Sequence, residues 1–294
     1  MKVGVYLLRG NGGAMRTCPA MAAGATACGD EVELLTVDNY KEPCYDVAVF
    51  WGFVTPCQNI LKAYRQLDKP VVFLDMGYWH RSDYYKVSIN RRHPTAYFQD
   101  IEHDDSRRKM FGLEPKPFHR KTMGHILLAG MGAKSAWAEK EEPVESWERR
   151  TVAELRKYTD RKIIYRPKPS WAGATKIEGT SFSSNSQSLE SVLQDCHAVV
   201  THHSNVAVDG LVAGVPAFTN IGAAVPMATG FRLDDIERPY YPDDREQWLN
   251  DLAYCQWSLT EMRDGTCWRH LKEECLINPE DWTTTRKQVN KGVV

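Results

Sequence analysis

No two of the eight cysteines in this 294-residue sequence stand as a CxxC pair. Most sit among apolar neighbours, which indicates neither a zinc site nor a disulfide framework and fits a reducing cytoplasm. Long hydrophobic runs are missing too. Nothing approaches the roughly 20 uninterrupted apolar residues of a membrane helix, and the opening MKVGVYLLRG has too short an apolar stretch for a signal segment. It reads as a first strand. A net charge of −1 offers no global electrostatic case for nucleic acid. Also absent are a Walker GxxxxGK[ST] loop and a GxGxxG after a strand, which argues against kinase and dinucleotide chemistry. No DxD pair occurs, so metal-bridged diphosphate binding is not expected. What is present, 43% hydrophobic and 26% charged residues, is the make-up of a globular chain with enough length for two ordinary domains.

β-rich apolar runs recur at 2–8, 31–37, 47–53, 71–75, 125–131, 162–166, 198–202 and 215–219, with stretches of helical pattern at 14–28, 56–68, 146–159, 188–196 and 204–214 between them. Alternation of this kind predicts parallel sheets with crossover helices. The series pauses at 77–121, rich in aromatic and basic residues without clear periodicity, and its last part, GLEPKPFHRK, reads as a link. The expected architecture is therefore α/β: two Rossmann-like, doubly wound domains facing a cleft, 1–120 and 121–294. Residues 244–263 read as helical, with the C-terminal helices packing back on the first domain.

Ligands of open α/β sheets sit at the carboxyl ends of strands, so the residues just after each strand are the informative ones. The first strand leads into Arg9-Gly10-Asn11-Gly12-Gly13, a loop that admits close approach of a ligand to backbone. Later strands lead into Asp75 through Arg81, into Gly130 through Ser135, and into Arg166-Pro167-Lys168-Pro169. The last such turn is His202-His203-Ser204-Asn205, where Ser204 or Asn205 reads as the N-cap of an apolar helix. Lys134, Ser135, Arg166 and Lys168 beside a helix N-terminus make a candidate diphosphate site, since ammonium and guanidinium groups neutralise phosphate and helix N–H groups bind its oxygens. Asp209, one turn into the helix, could accept hydrogen bonds from ribose hydroxyls, and the loop from Thr219 through Ala223 could close over a sugar. Ser204 as a simple cap and Asp209 as a solvated helix residue are the plain alternatives.

The segment LESVLQDCHAVVTHHSNVAVDGLVAGVPAF, 189–218, resembles the donor-binding segment of GT-B glycosyltransferases, with its strand, Ser-containing turn, acid five residues later and Gly-x-Pro ending. Upstream, IIYRPKPS is similar to the Arg-x-His-Pro phosphate-contacting strand of capsule and sialic-acid transferases, with Lys168 in place of the histidine. Segment 71–99 looks like one found in bacteriophage glycosyltransferase-like proteins. The resemblance implies a nucleotide-sugar donor, UDP-linked as the first choice, held by the second domain. It also implies an acceptor on the first domain and no required metal.

Transfer with inversion needs a base near the acceptor hydroxyl. Asp75, ending a strand, is the first candidate and His80 the second; a turn-forming role for Asp75 ahead of Gly77 is the alternative. The acceptor side holds ten Lys/Arg against six Asp/Glu over 79–121, whereas 232–281 holds six against thirteen. Arg81, Arg91 and Arg92 interleave with Tyr78 and Trp79, a combination of charge and stacking surface suited to gripping DNA and extruding a base. Hydroxymethylated pyrimidine DNA is thus expected as acceptor, narrowly over a polysaccharide or soluble glycan. A nucleotide-sugar epimerase of the same fold is a further alternative, and no membrane partner is expected.

Overall fold

The computed structural model describes residues 1–94, 102–141, 143–183, 187–274 and 277. Cys275 and the last residues of the 71–99 segment lie outside them. The chain forms two compact units. One comprises Met1–Arg107 together with the described residues from Asn250 onward, the other Arg108–Leu249.

The first unit begins with β1 (Lys2–Leu7), α1 (Gly12–Ala27), β2 (Glu31–Thr36), β3 (Val47–Trp51), α2 (Thr55–Gln66) and β4 (Val71–Met76), whose strands all pair in parallel. β3 and the first four residues of β4 are buried throughout, the continuous apolar pattern of strands covered on both faces. The stretch without evident periodicity then yields β5 (Tyr84–Ile89), antiparallel to β4. This departs from the all-parallel expectation. Tyr85, Val87 and Ile89 face the core while Lys86 and Ser88 point to the opposite face, so the alternation is present but carried by atypical residues.

The short helix α3 (Ser106–Met110) carries the chain into the second unit. There the Pro-containing stretch expected to link domains is hydrogen-bonded into the unit: Lys116 N–H donates to the Val212 carbonyl (2.8 Å) and His119 N–H to that of Gly214 (3.1 Å). The elements are β6 (His125–Ala129), α4 (Ala133–Ala138), α5 (Ser146–Leu155), β7 (Ile163–Arg166), β8 (Ser181–Phe182), α6 (Leu189–Gln194), β9 (Cys196–Thr201), α7 (Val206–Val212) and β10 (Ala217–Phe218). They build a five-stranded parallel sheet in the order β10-β9-β6-β7-β8. The order reverses at β6, with β7 on one side and β9 on the other. Such a switch point opens a crevice beyond the carboxyl ends of the strands.

The chain returns to the first unit within α8 (Arg245–Ala253). Residues 244–263, expected as one helix, are broken by β11 (Gln256–Ser258), which pairs antiparallel with β5 and completes a sheet ordered β11-β5-β4-β3-β1-β2. The cause is local. Ser258 and Glu261 form a reciprocal capping box that starts a new helix, α9 (Leu259–Arg263). Helix α10 (Thr266–Glu273) comes next, anchored where Trp268 Nε1 and Lys272 Nζ donate to Asp30. Among the described residues, no helix is long and apolar enough to cross a membrane.

Candidate functional site

In the second unit the parallel register decides which turns are neighbours. Ala129 at the end of β6 lies opposite Arg166 at the end of β7 and Thr201 at the end of β9, and Val200 lies opposite Phe218. Turns 130–135, 166–168, 202–205 and 219–222 therefore leave the same edge of one sheet. Side chains tie several of them together. Lys168 Nζ lies 3.4 Å from Ser135 Oγ, which joins the turn after β7 to the first turn of α4. Thr201 Oγ1 donates to the Ala129 carbonyl (3.0 Å), and Thr219 Oγ1 bridges the carbonyls of His202 (2.8 Å) and Ile221 (2.7 Å). Gly222, at φ +114°, backs onto His203, whose backbone a Cβ there would meet at 3.6 Å.

The paired histidines touch. His202 Nδ1 and His203 Nδ1 are 2.9 Å apart, within hydrogen-bond distance, with donor and acceptor set by the ring tautomers. The His202 ring also meets the edge of Trp147 at 5.6 Å. Ser204 acts as the start of α7 by accepting the Val206 N–H (3.3 Å), while Asn205 is the cap residue by position without a side-chain bond. Asp209 is half-buried in the first turn of α7, and Lys134 is exposed in that of α4. Arg166 faces the loop beyond β8, donating from one nitrogen to Ser183 Oγ (3.2 Å) and to the Gln187 carbonyl (2.9 Å).

Behind the first of these turns lies Glu148, a residue the sequence pattern did not single out. Its Oε1 accepts the Met131 N–H at 2.8 Å, and its Oε2 is buried without a hydrogen-bond partner. Burial raises its carboxyl above the usual range. It lies among charged neighbours in SWERR, so no sequence signal marked it as interior.

Gly12 and Gly13 belong to the first turn of α1 rather than to an open loop. Asn11 Oδ1 caps that helix by accepting the N–H groups of Gly13 (3.0 Å) and Ala14 (3.1 Å). Gly13 is also where Trp51 packs: a Cβ there would stand 2.2 Å from the indole ring.

Asp75 closes β4 with its side chain one-third exposed, Oδ1 accepting the Met76 N–H (2.8 Å) and Oδ2 lying 3.7 Å from Lys86 Nζ. Beyond it the chain turns sharply at Gly77, where a Cβ would stand 2.5 Å from the Tyr84 carbonyl. The turn is then held from a distant segment. Gln256 of β11, wholly buried, accepts the N–H groups of Tyr78 (2.8 Å) and Trp79 (3.2 Å) and donates to the Trp79 carbonyl (3.4 Å). Here the placement corrects the expected stacking surface. Tyr78 and Trp79 are 2% and 9% exposed, because Gln256 draws their backbone inward and their rings go with it. His80 is exposed at φ +46° with its ring 6.5 Å from that of Tyr84, and Arg81 Nε donates to the Tyr78 carbonyl (2.9 Å). The Arg91 carbonyl accepts from Ser88 Oγ, and the Arg92 guanidinium lies 5.6 Å from the Phe53 ring centre.

A scan against protein-family models finds no match, and neither does a search of curated proteins. Solved structures do match. The beta Kdo 2,4 transferase KpsC of Thermosulfurimonas dismutans superposes with a TM-score of 0.53 at 14% identity, over 88% of this chain and 92% of its own. The beta Kdo 2,7 transferase KpsC of the same organism gives 0.51 at 13%, over 92% and 100%. Both share their fold with this chain. At this identity the likeness is one of architecture, and the chemistry has to be argued from the residues.

Proposed function

We propose that the protein is a glycosyltransferase that moves a sugar from a nucleotide-sugar donor to an acceptor hydroxyl. The second unit takes the donor and the first unit supplies the acceptor side. The reading rests chiefly on the convergence of turns 130–135, 166–168, 202–205 and 219–222 at the carboxyl ends of adjacent parallel strands. A departing nucleotide carries phosphate charge, and stabilising it is the main electrostatic task of such a transfer. Lys134, Arg166 and Lys168 supply positive charge at that edge, and Ser135, Ser204 and the backbone at the start of α7 supply directional donors. Asp209 is assigned to the ribose and the Thr219–Gly222 loop to the sugar. In the first unit Asp75 is the base that takes the acceptor proton, with His80 the alternative.

Between acceptors, a glycan hydroxyl is favoured over hydroxymethylated pyrimidine DNA. An extruded base needs exposed rings to stack on, and burial removes Tyr78 and Trp79 from that role; Arg81, Arg91 and Arg92 can serve an anionic glycan equally well. The test incubates the full chain with a panel of nucleotide sugars, UDP-linked ones first, beside soluble glycans and hydroxymethylated DNA, and reads nucleotide release together with acceptor mass. Release coupled to a mass gain of one sugar on a glycan supports the reading. A gain on DNA restores the nucleic-acid acceptor. Interconversion of the donor sugar with no acceptor present points instead to an epimerase, and no turnover of any donor removes the enzyme reading.

A further inference from the structure

Lys86 is 3% exposed and lies directly opposite Asp75 in the antiparallel register of β4 and β5. Its ammonium donates to the Arg92 carbonyl at 2.7 Å, stands 3.7 Å from Asp75 Oδ2, and lies 5.3 Å from the centre of the Phe73 ring. An ammonium in the interior carries a desolvation cost of several kcal/mol, and an apolar side chain of similar volume is usually at least as stable in its place. Its presence on β5 therefore calls for a reason beyond packing. Asp75 offers one. The Met76 N–H fixes one oxygen of that carboxylate and Lys86 faces the other, while a third of the side chain remains open to solvent.

We infer that Lys86 is the positioning residue of Asp75: planted in the interior, its ammonium holds the direction of a carboxylate whose outer side stays open to an acceptor hydroxyl. The inference rests on Asp75 being the base of the proposed transfer. Lys86, buried in the interior, is placed to act through Asp75. Burial pushes the Lys86 ammonium down to about 8, against the opposing pull of Asp75. As pH rises past that value the cation facing Asp75 is lost. The other charged or titratable groups acting on the pair are Arg92 on the segment after β5, Cys255 just ahead of β11, and Tyr78 in the turn after β4.

The experiment is single-turnover transfer by the full-length chain beside donor titration and lysine side-chain NMR, with the Lys86 signal assigned by its loss in Lys86→Met. Lys86→Met should lower turnover by roughly tenfold or more and leave donor affinity nearly unchanged, and Lys86→Arg should restore part of the loss. Asp75→Asn, which removes the carboxylate that favours the ammonium, should move the Lys86 titration down; this second variant keeps the test open should Lys86→Met fail to fold. Unchanged turnover in folded Lys86→Met, or a Lys86 titration unmoved in Asp75→Asn, overturns the inference. A Lys86 titration that moves in Asp75→Asn, with no turnover of any nucleotide sugar by the wild type, would leave the pair standing and remove the glycosyltransferase reading instead.

Discussion

Replacing Gln256 with leucine removes a side chain that sits under the turn following the strand of the candidate base. The amide is wholly buried and its oxygen is shared by the Tyr78 and Trp79 N–H groups at 2.8 and 3.2 Å. Leucine preserves most of the volume but leaves both N–H groups buried without an acceptor, at a cost of about 1–3 kcal/mol for each such group. The contact from Gln256 Nε2 to the Trp79 carbonyl is long, 3.4 Å, and its loss adds little. Some relaxation of the turn toward water will recover part of the penalty, so the expected loss is roughly 2–4 kcal/mol. Urea unfolding of wild type and variant, with unchanged m-values, gives that difference directly. Amide hydrogen exchange supplies the local readout: the Tyr78 and Trp79 amides should exchange far faster in the variant, while amides of β1 and β3 keep their protection relative to the new global stability. A loss below about 1 kcal/mol with both amides still protected would refute the reasoning, because it would mean the turn holds its shape without the glutamine.

Three further outcomes are expected. Arg166→Ala should weaken donor binding by about 1.5–3 kcal/mol, the usual worth of a charged hydrogen bond; calorimetric titration with the nucleotide sugar checks it, and unchanged affinity excludes the arginine from the donor site. Asp75→Asn should lower turnover by roughly 10²–10⁴ while leaving donor affinity nearly untouched, as befits a group acting in proton removal alone. Single-turnover transfer beside donor titration separates the two, and near-normal turnover would pass the role to His80. Because burial holds the Glu148 carboxyl above its unfolded-chain value, the stability it contributes is fully present below that unfolded value and is lost as pH rises through the folded one. Glu148→Gln lacks this titration, so its stability relative to wild type should climb in urea melts as pH rises above the ordinary glutamate value of about 4.3. A difference that stays flat with pH would count against the buried, protonated carboxyl.

Much of the α/β character was legible because the strands of a covered parallel sheet read as unbroken apolar runs. VAVFW in β3 and VVFL in β4 need no tertiary information to be recognised, and Pro, Gly and Ser-Asn signals mark the helix ends between them. The turns proposed to take the donor were legible as neighbours for a related reason: in a parallel sheet every strand ends at the same edge, so the residues just past each strand end are bound to come together. Other features depended on partners far away in sequence. β5 is a strand because β4 and β11 flank it, the latter near the other end of the chain, and no local pattern announces that pairing. Tyr78 and Trp79 look like surface aromatics in a basic loop until Gln256 reaches them from across the fold. The same holds for Lys86, whose burial and whose place opposite Asp75 are set by strand register. Sequence determines which segments have a period and which residue types end them, since those are properties of neighbours along the chain. Tertiary structure alone decides which charges are buried and what they face, because desolvation and Coulomb energy depend on distances that the chain sets only after it has folded.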